Sequence, residues 1–160
     1  MAGSILKRLN GFSYKEKSIL ISLLAVAGIY GGYFFDVIGG SAPQSFSGML
    51  VTMFGIVVAL VMVHVIFHIV ITLDDVSEAE DERDRAVSRR AAVVGYNVLF
   101  VALLLITGRI LILGAWAEEA GEVLAPSHVE IVNLLLAAMI ASEVVYYAAQ
   151  LLFYRRGVHG

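Results

Sequence analysis

The chain has 160 residues, of which 59% are hydrophobic and only 16% are charged, and it contains no cysteine. A soluble domain is nearer half apolar and a quarter charged. The composition therefore excludes an intrinsically disordered chain, a disulfide scaffold, a cysteine-based zinc module and a basic nucleic-acid-binding domain. The length suits a single domain over residues 1–160, with no nucleic acid as a partner.

Four apolar blocks follow one another along the chain, and each is long enough to cross a bilayer. They cover residues 18–35, 46–73, 91–116 and 131–153. About 20 mostly apolar residues of helix cross the ~30 Å hydrocarbon core. An isolated span must be helical, because lipid offers the backbone N–H and C=O groups no other partner. The sequence predicts an all-α, polytopic four-helix transmembrane bundle.

The basic residues predict which ends of the spans face the cytoplasm, where Lys and Arg concentrate. Ten of the 11 basic residues precede the first span, lie between the second and third, or follow the fourth. The connections at 36–45 and 114–130 contain none, and the second of these holds four glutamates. We therefore expect a multi-pass protein of the cytoplasmic membrane, embedded in its lipid bilayer, with both termini cytoplasmic.

The N-terminal segment, residues 1–17, combines basic residues with apolar residues at helical spacing. This pattern fits an amphipathic helix that lies on the anionic inner leaflet. It also fits a frayed tail that merely obeys the charge rule. The apolar stripe consists of Ile5, Leu6, Leu9 and Phe12.

The charged segment, residues 76–90, places acidic residues before basic ones, as suits the dipole of a helix. Ser77 and Glu80 fit a capping box, so we expect a helix that begins near Ser77 and continues unbroken into the third span. The segment is either a solvated helix extension with surface ion pairs, or a docking site for a cytoplasmic partner or for the N-terminal segment. Its central charged residues are Glu80, Asp81, Glu82, Arg83, Asp84 and Arg85.

Two short motifs accompany these charges: the run Asp81-Glu82-Arg83-Asp84, followed by Arg90-Ala91 and Gly95-Tyr96, and the tail 152–157, which contains Tyr-Arg-Arg-Gly. Through these two motifs, the second half of the chain resembles a group of small, uncharacterised bacterial membrane proteins. The resemblance implies a helical bundle in a bacterial inner membrane. It implies no activity, substrate or catalytic residue.

Polar side chains at membrane depth are costly and suggest function by default. At 1.5 Å of rise per residue, His68 lies about 7 Å, Asn97 about 9–10 Å, His64 about 13 Å and Glu143 about 15 Å from the inner ends of their spans. These residues belong to three different helices. Packed together, they would form one polar cluster in the inner half of the membrane.

This cluster has several interpretations. Its histidines could hydrogen-bond across helices as packing contacts, with Glu143 protonated or bonded to one of them. It could instead form an ion or proton pathway, because histidine titrates near neutral pH. His64 and His68, one helical turn apart, could hold a metal with Glu143 as a third ligand, whereas a haem would need a histidine from a second copy. Binding of a lipid or small molecule also stays open, and no resident cofactor is predicted.

Arg109 lies about 10 Å from the predicted outer end of the third span. Its side chain could extend to the outer surface, or pair with Asp36 or a glutamate of the 114–130 connection. It could otherwise contact an anionic head group or substrate.

Small residues four apart occur in the first and fourth spans, as Gly28-x-x-x-Gly32 and Ala138-x-x-x-Ser142. Such pairs let helix backbones approach closely, within one bundle or between subunits. A four-span chain of this length has little interior of its own, so we expect a homodimer.

No nucleophile–base pair or other catalytic motif is present in the sequence. We therefore expect a non-enzymatic membrane protein that acts through assembly or through a partner at residues 76–90. One alternative is a small ion or proton transporter or channel that uses the polar cluster. Another is a metal- or haem-binding membrane protein.

Overall fold

The computed structural model describes residues 13–43, 45–74, 81–121 and 126–156. Over these residues the protein is helical, with no strand. The four helices are α1 (Tyr14–Ile38), α2 (Phe46–Asp74), α3 (Glu82–Ala120) and α4 (His128–Arg156). All four are long and apolar enough to cross a membrane, which confirms the predicted helical class and the four helices of spanning length.

The first helix begins at a capping box. The Ser13 hydroxyl accepts the backbone N–H of Glu16, and the Glu16 carboxylate accepts the backbone N–H of Ser13. Each of these bonds satisfies a donor that would otherwise be left open at a helix start. Of the predicted amphipathic N-terminal segment, residues 1–12 lie outside the described part of the chain.

The third helix begins at Glu82 and not near Ser77, so the predicted start is wrong. Asp81 is extended (φ −88°, ψ 173°), and its carboxylate accepts the Asp84 N–H at 2.7 Å. The Asp84 carboxylate in turn accepts the Asp81 N–H at 3.2 Å. Aspartate caps a helix as well as serine does. The capping box is therefore formed by Asp81 and Asp84, which follow the predicted pair Ser77 and Glu80 in the sequence. Ser77 and Glu80 lie outside the described residues. As predicted, the helix then runs unbroken through the third span.

The helices pack side by side in the order α2, α1, α4, α3. Extensive contacts join α3 to α4, α1 to α4 and α1 to α2, whereas the other pairs touch at most slightly. Helix α2 is therefore attached mainly through α1, and α3 mainly through α4. We call the end where α1 and α3 begin and α4 ends the basic end, and the opposite end the acidic end.

Small side chains set the close approach of α3 to α4. Val87 and Ala91 are fully buried, and Gly95 continues the same ridge one turn later. A Cβ on Gly95 would lie 3.1 Å from the Ser142 carbonyl oxygen. The Ser142 hydroxyl donates to the Gly95 carbonyl oxygen at 2.8 Å. The Ala138-x-x-x-Ser142 pair thus serves a contact inside the chain.

The glycines of α1, unlike Gly95 of α3, do not face a neighbouring helix at close range. A Cβ on Gly28, Gly31 or Gly32 would meet no atom within 4 Å. No described helix of the same chain packs closely against this stripe.

Candidate functional site

His64 of α2 makes two hydrogen bonds, one of which joins α2 to α1 within their apolar segments, and Tyr147 of α4 lies beside them. The His64 Nδ1–H donates to the Leu60 carbonyl oxygen at 2.9 Å, and Nε2 lies 3.2 Å from the Ser22 hydroxyl. With Nδ1 protonated in the neutral ring, Nε2 accepts the proton of Ser22. The Tyr147 hydroxyl also interacts with Ser22. The buried Ser22 of α1 thus connects α2 to α4.

Glu143 lies beside these hydrogen bonds, on the exposed surface of α4. Together with His64 it lines an open groove of about 370 Å³, whose other walls are valine and leucine side chains of α1 and α2. The carboxyl also lines a second groove of about 340 Å³, between α3 and α4. Residues of this second groove include Gly95, Tyr96, Ser142 and Tyr146. Glu143 therefore sits where two grooves meet.

The other two members of the predicted cluster, Asn97 and His68, are not found beside His64 and Glu143 among the described side chains. Asn97 is exposed and lines a separate, almost wholly apolar groove of about 460 Å³ along α3. The structure therefore brings His64 and Glu143 together but places Asn97 elsewhere. The side chain of His68 lies outside the described part of the molecule.

The described residues offer limited support for a metal. Among them, no three His, Asp or Glu side chains lie close enough together to hold an ion. Both ring nitrogens of His64 also have hydrogen-bond partners, so a metal would have to displace one of them. The three-ligand set with His68 depends on a side chain that is not described.

At the basic end, one carboxylate joins three helices. Asp84 of α3 pairs with the Lys15 ammonium group of α1 and accepts the Tyr154 hydroxyl of α4 at 2.6 Å. Arg83 donates to the Tyr154 carbonyl oxygen at 3.2 Å, and its guanidinium lies 5.9 Å from the centre of the Tyr154 ring. We call Lys15, Arg83, Asp84 and Tyr154 the Asp84 hub.

Electrostatics favour the charged form of Asp84. Burial alone would raise the pKa of this carboxyl, but the hydrogen bonds from Lys15, Tyr154 and the Asp81 N–H outweigh burial and lower the pKa. Burial and the adjacent carboxylate raise the pKa of the Tyr154 hydroxyl, so Tyr154 keeps its proton as the donor. Both residues lie beyond the apolar spans 91–116 and 131–153.

The hub also joins the two short charged motifs of the second half of the chain. Arg83 and Asp84 belong to the Asp-Glu-Arg-Asp run, and Tyr154 opens the Tyr-Arg-Arg-Gly tail. Lys15 of the N-terminal segment docks on the charged segment, one of the contacts that the sequence left open. Asp81, Glu82, Arg85, Arg89 and Arg90 remain exposed, although Arg85 has an interaction of its own.

At the acidic end, Arg109 pairs with Glu130 of α4 at 2.5 Å. Glu130 is one of the glutamates that the sequence offered as a partner. The two side chains are 53% and 41% exposed, so the ion pair is a surface contact. Nearby, Tyr33 of α1 donates to the Asn133 side chain at 2.6 Å.

Sequence reasoning missed Ser22, Lys15 and Tyr154 as site residues. Ser22 is an isolated hydroxyl in an apolar span, with no motif around it. Lys15 and Tyr154 resemble ordinary flanking residues until the fold brings them to Asp84. The available signal was that Lys15 and Tyr154, both hydrogen-bond donors, lie at the ends of their spans on the same side as the acidic run that contains Asp84.

Comparison with models of protein families, with curated proteins and with solved structures finds no match.

Proposed function

We propose that the protein is a non-enzymatic, multi-pass protein of a bacterial cytoplasmic membrane that acts by binding a protein partner at the charged segment. The observation that supports this proposal is the Asp84 hub. It ties the start of α3 to α1 and α4, so the exposed charges at 81–90 are held on a fixed helical surface. A preorganised surface loses little conformational entropy on binding.

Charge placement and the family resemblance support the location, with both termini in the cytoplasm. The open stripe at Gly28, Gly31 and Gly32 supports assembly as a homodimer, because small residues allow close helix contact between subunits.

The partner proposal is tested with charges that the hub does not use. Glu82→Gln, Arg89→Gln and Arg90→Gln are combined in one variant, and proteins cross-linked to it in native membranes are identified. The matched control carries Glu118→Gln and Glu119→Gln at the acidic end. We expect the first variant to lose specific partners that the control keeps. An unchanged set of partners would refute the proposal.

A second candidate function is a small ion or proton transporter. One observation favours it: His64 and Glu143, from different helices, line the same groove at membrane depth. Purified protein in liposomes should then move ions or protons, and Glu143→Gln should stop the movement. Flux no greater than that of empty liposomes would refute this candidate.

A further inference from the structure

Glu143 lies near the middle of α4. It is 13 residues from Arg156 and 15 from His128, so at 1.5 Å per residue it is about 20 Å from either end of the helix. Because the helix spans 29 residues, this position corresponds to the centre of a bilayer. A carboxyl at such depth is costly unless it is neutral or has a partner.

Neither the Lys15–Asp84 nor the Arg109–Glu130 ion pair involves Glu143, and the groove that it shares with His64 is otherwise lined by valine and leucine. The two ring nitrogens of His64 have hydrogen-bond partners in the Leu60 carbonyl and the Ser22 hydroxyl without Glu143. The carboxyl is instead exposed to two grooves that open on the surface of the bundle. Its negative form is therefore complementary to a cation that enters from the membrane.

Aromatic side chains lie near this carboxyl. Tyr96 and Tyr146 line one groove with it, and Tyr30 and Tyr147 lie within electrostatic range of it. Tyrosine faces attract cations, most strongly where water is excluded. An acidic group among tyrosines and aliphatic walls suits an organic cation with an apolar body.

The same surroundings disfavour a small inorganic ion. Divalent metal ions such as Ca²⁺ require about six to eight oxygen ligands, whereas the walls of the His64 groove are mostly valine and leucine. The two grooves have volumes of about 370 and 340 Å³ and are open along the surface of the bundle.

We propose that the paired grooves at Glu143 bind a lipophilic organic cation, such as a bulky ammonium or phosphonium ion, with Glu143 as its counter-ion. The proposal rests on the groove of the transporter candidate, and it makes an organic cation, in place of an inorganic ion or a proton, the substrate of that candidate. It does not depend on the partner at the charged segment.

The test measures binding and not flux. The purified full chain in lipid nanodiscs is dialysed against tetraphenylphosphonium, and in parallel against tetraphenylborate, which has the same shape and the opposite charge. We expect saturable binding of the phosphonium ion alone.

Variants separate the site from general partitioning into lipid. Glu143→Gln should weaken phosphonium binding roughly tenfold or more, as expected for loss of a charge partner, whereas Glu119→Gln should leave it unchanged. If Glu143→Gln fails to fold, Glu143→Asp should retain binding, and the cation should protect Glu143 of the wild type from carbodiimide.

Equal uptake of both ions, or binding that Glu143→Gln leaves intact, would overturn the proposal, as would carbodiimide modification that the cation does not slow. Saturable binding without flux in liposomes would uphold the binding site and refute transport. The two proposals can therefore fail separately.

Discussion

Asp84 serves two purposes at the scale of a single residue. Its carboxylate closes the capping box of α3 and also holds Lys15 and Tyr154. The Asp84 side chain is 14% exposed and that of Lys15 23%, so these bonds are partly shielded from water. Replacing Asp84 by Asn would remove the charge that faces the Lys15 ammonium group and leave one acceptor oxygen where the carboxylate has two.

We expect Asp84→Asn to lower the free energy of unfolding by about 1–3 kcal/mol, the cost of leaving hydrogen-bonding groups unpaired. The measurement is unfolding in mixed detergent micelles, followed by circular dichroism. Glu119→Gln, an exposed change at the acidic end, serves as the control. A loss no greater than that of the control would show that the hub contributes nothing to stability.

The lowered pKa of Asp84 predicts a pH dependence. A carboxyl with a lower pKa in the folded state contributes stability above its unfolded pKa, about 3.9. That contribution is lost as the pH falls through the lower folded value. The stability difference between the wild type and Asp84→Asn should thus be constant above about pH 5 and shrink below about pH 4. A difference that grows on acidification would contradict this sign.

At the scale of single residues, the sequence predicts a contact best where a charged side chain in an apolar span requires a partner or water. For Arg109 the sequence left open an outward-extended side chain, an ion pair and a contact with an anionic group, and the structure shows the ion pair with Glu130. Asn97 was grouped with His64 and Glu143 because depth alone was counted. Depth does not define the angular position on a helix, and Asn97 lies in a different groove.

At the scale of elements, the ridge of Val87, Ala91 and Gly95 decides how α3 meets α4. Its four-residue spacing keeps the three residues on one face of the helix. The spacing Ala91-x-x-x-Gly95 was visible in the sequence, although only the patterns in α1 and α4 were singled out. Many such pairs occur in membrane helices, and only the packed structure shows which one lies in a contact.

Two glycines of α3 provide a matched pair of substitutions. Gly95→Leu should separate α3 from α4, because even a Cβ would lie 3.1 Å from the Ser142 oxygen and 3.2 Å from the Tyr146 Cβ. We expect a loss of about 1–3 kcal/mol, typical of overpacking. Gly108→Leu has open space around its Cβ and gains the same helix propensity. Unfolding in mixed micelles compares them, and equal stabilities would contradict this packing.

At the scale of the whole molecule, composition and charge placement predicted the class and the four helices. The lengths of the apolar blocks and the need to pair every backbone group allow few other solutions. The order α2, α1, α4, α3 could not be predicted, because it depends on contacts such as His64 with Ser22 and Tyr33 with Asn133. Those pairs join single polar residues that have no distinguishing pattern.

The orientation in the membrane decides whether the charged segment can reach a cytoplasmic partner. The chain has no cysteine, so single cysteines can report accessibility without background. Suitable exposed positions are Ser41 and Glu119 on one side and Arg89 and Arg156 on the other.

Labelling these single-cysteine variants with a membrane-impermeant maleimide in intact cells tests the proposed topology directly. We predict that Ser41→Cys and Glu119→Cys react in intact cells, whereas Arg89→Cys and Arg156→Cys react only after the membrane is permeabilised. Labelling of Arg89→Cys or Arg156→Cys in intact cells would contradict the cytoplasmic placement of both termini and of the charged segment.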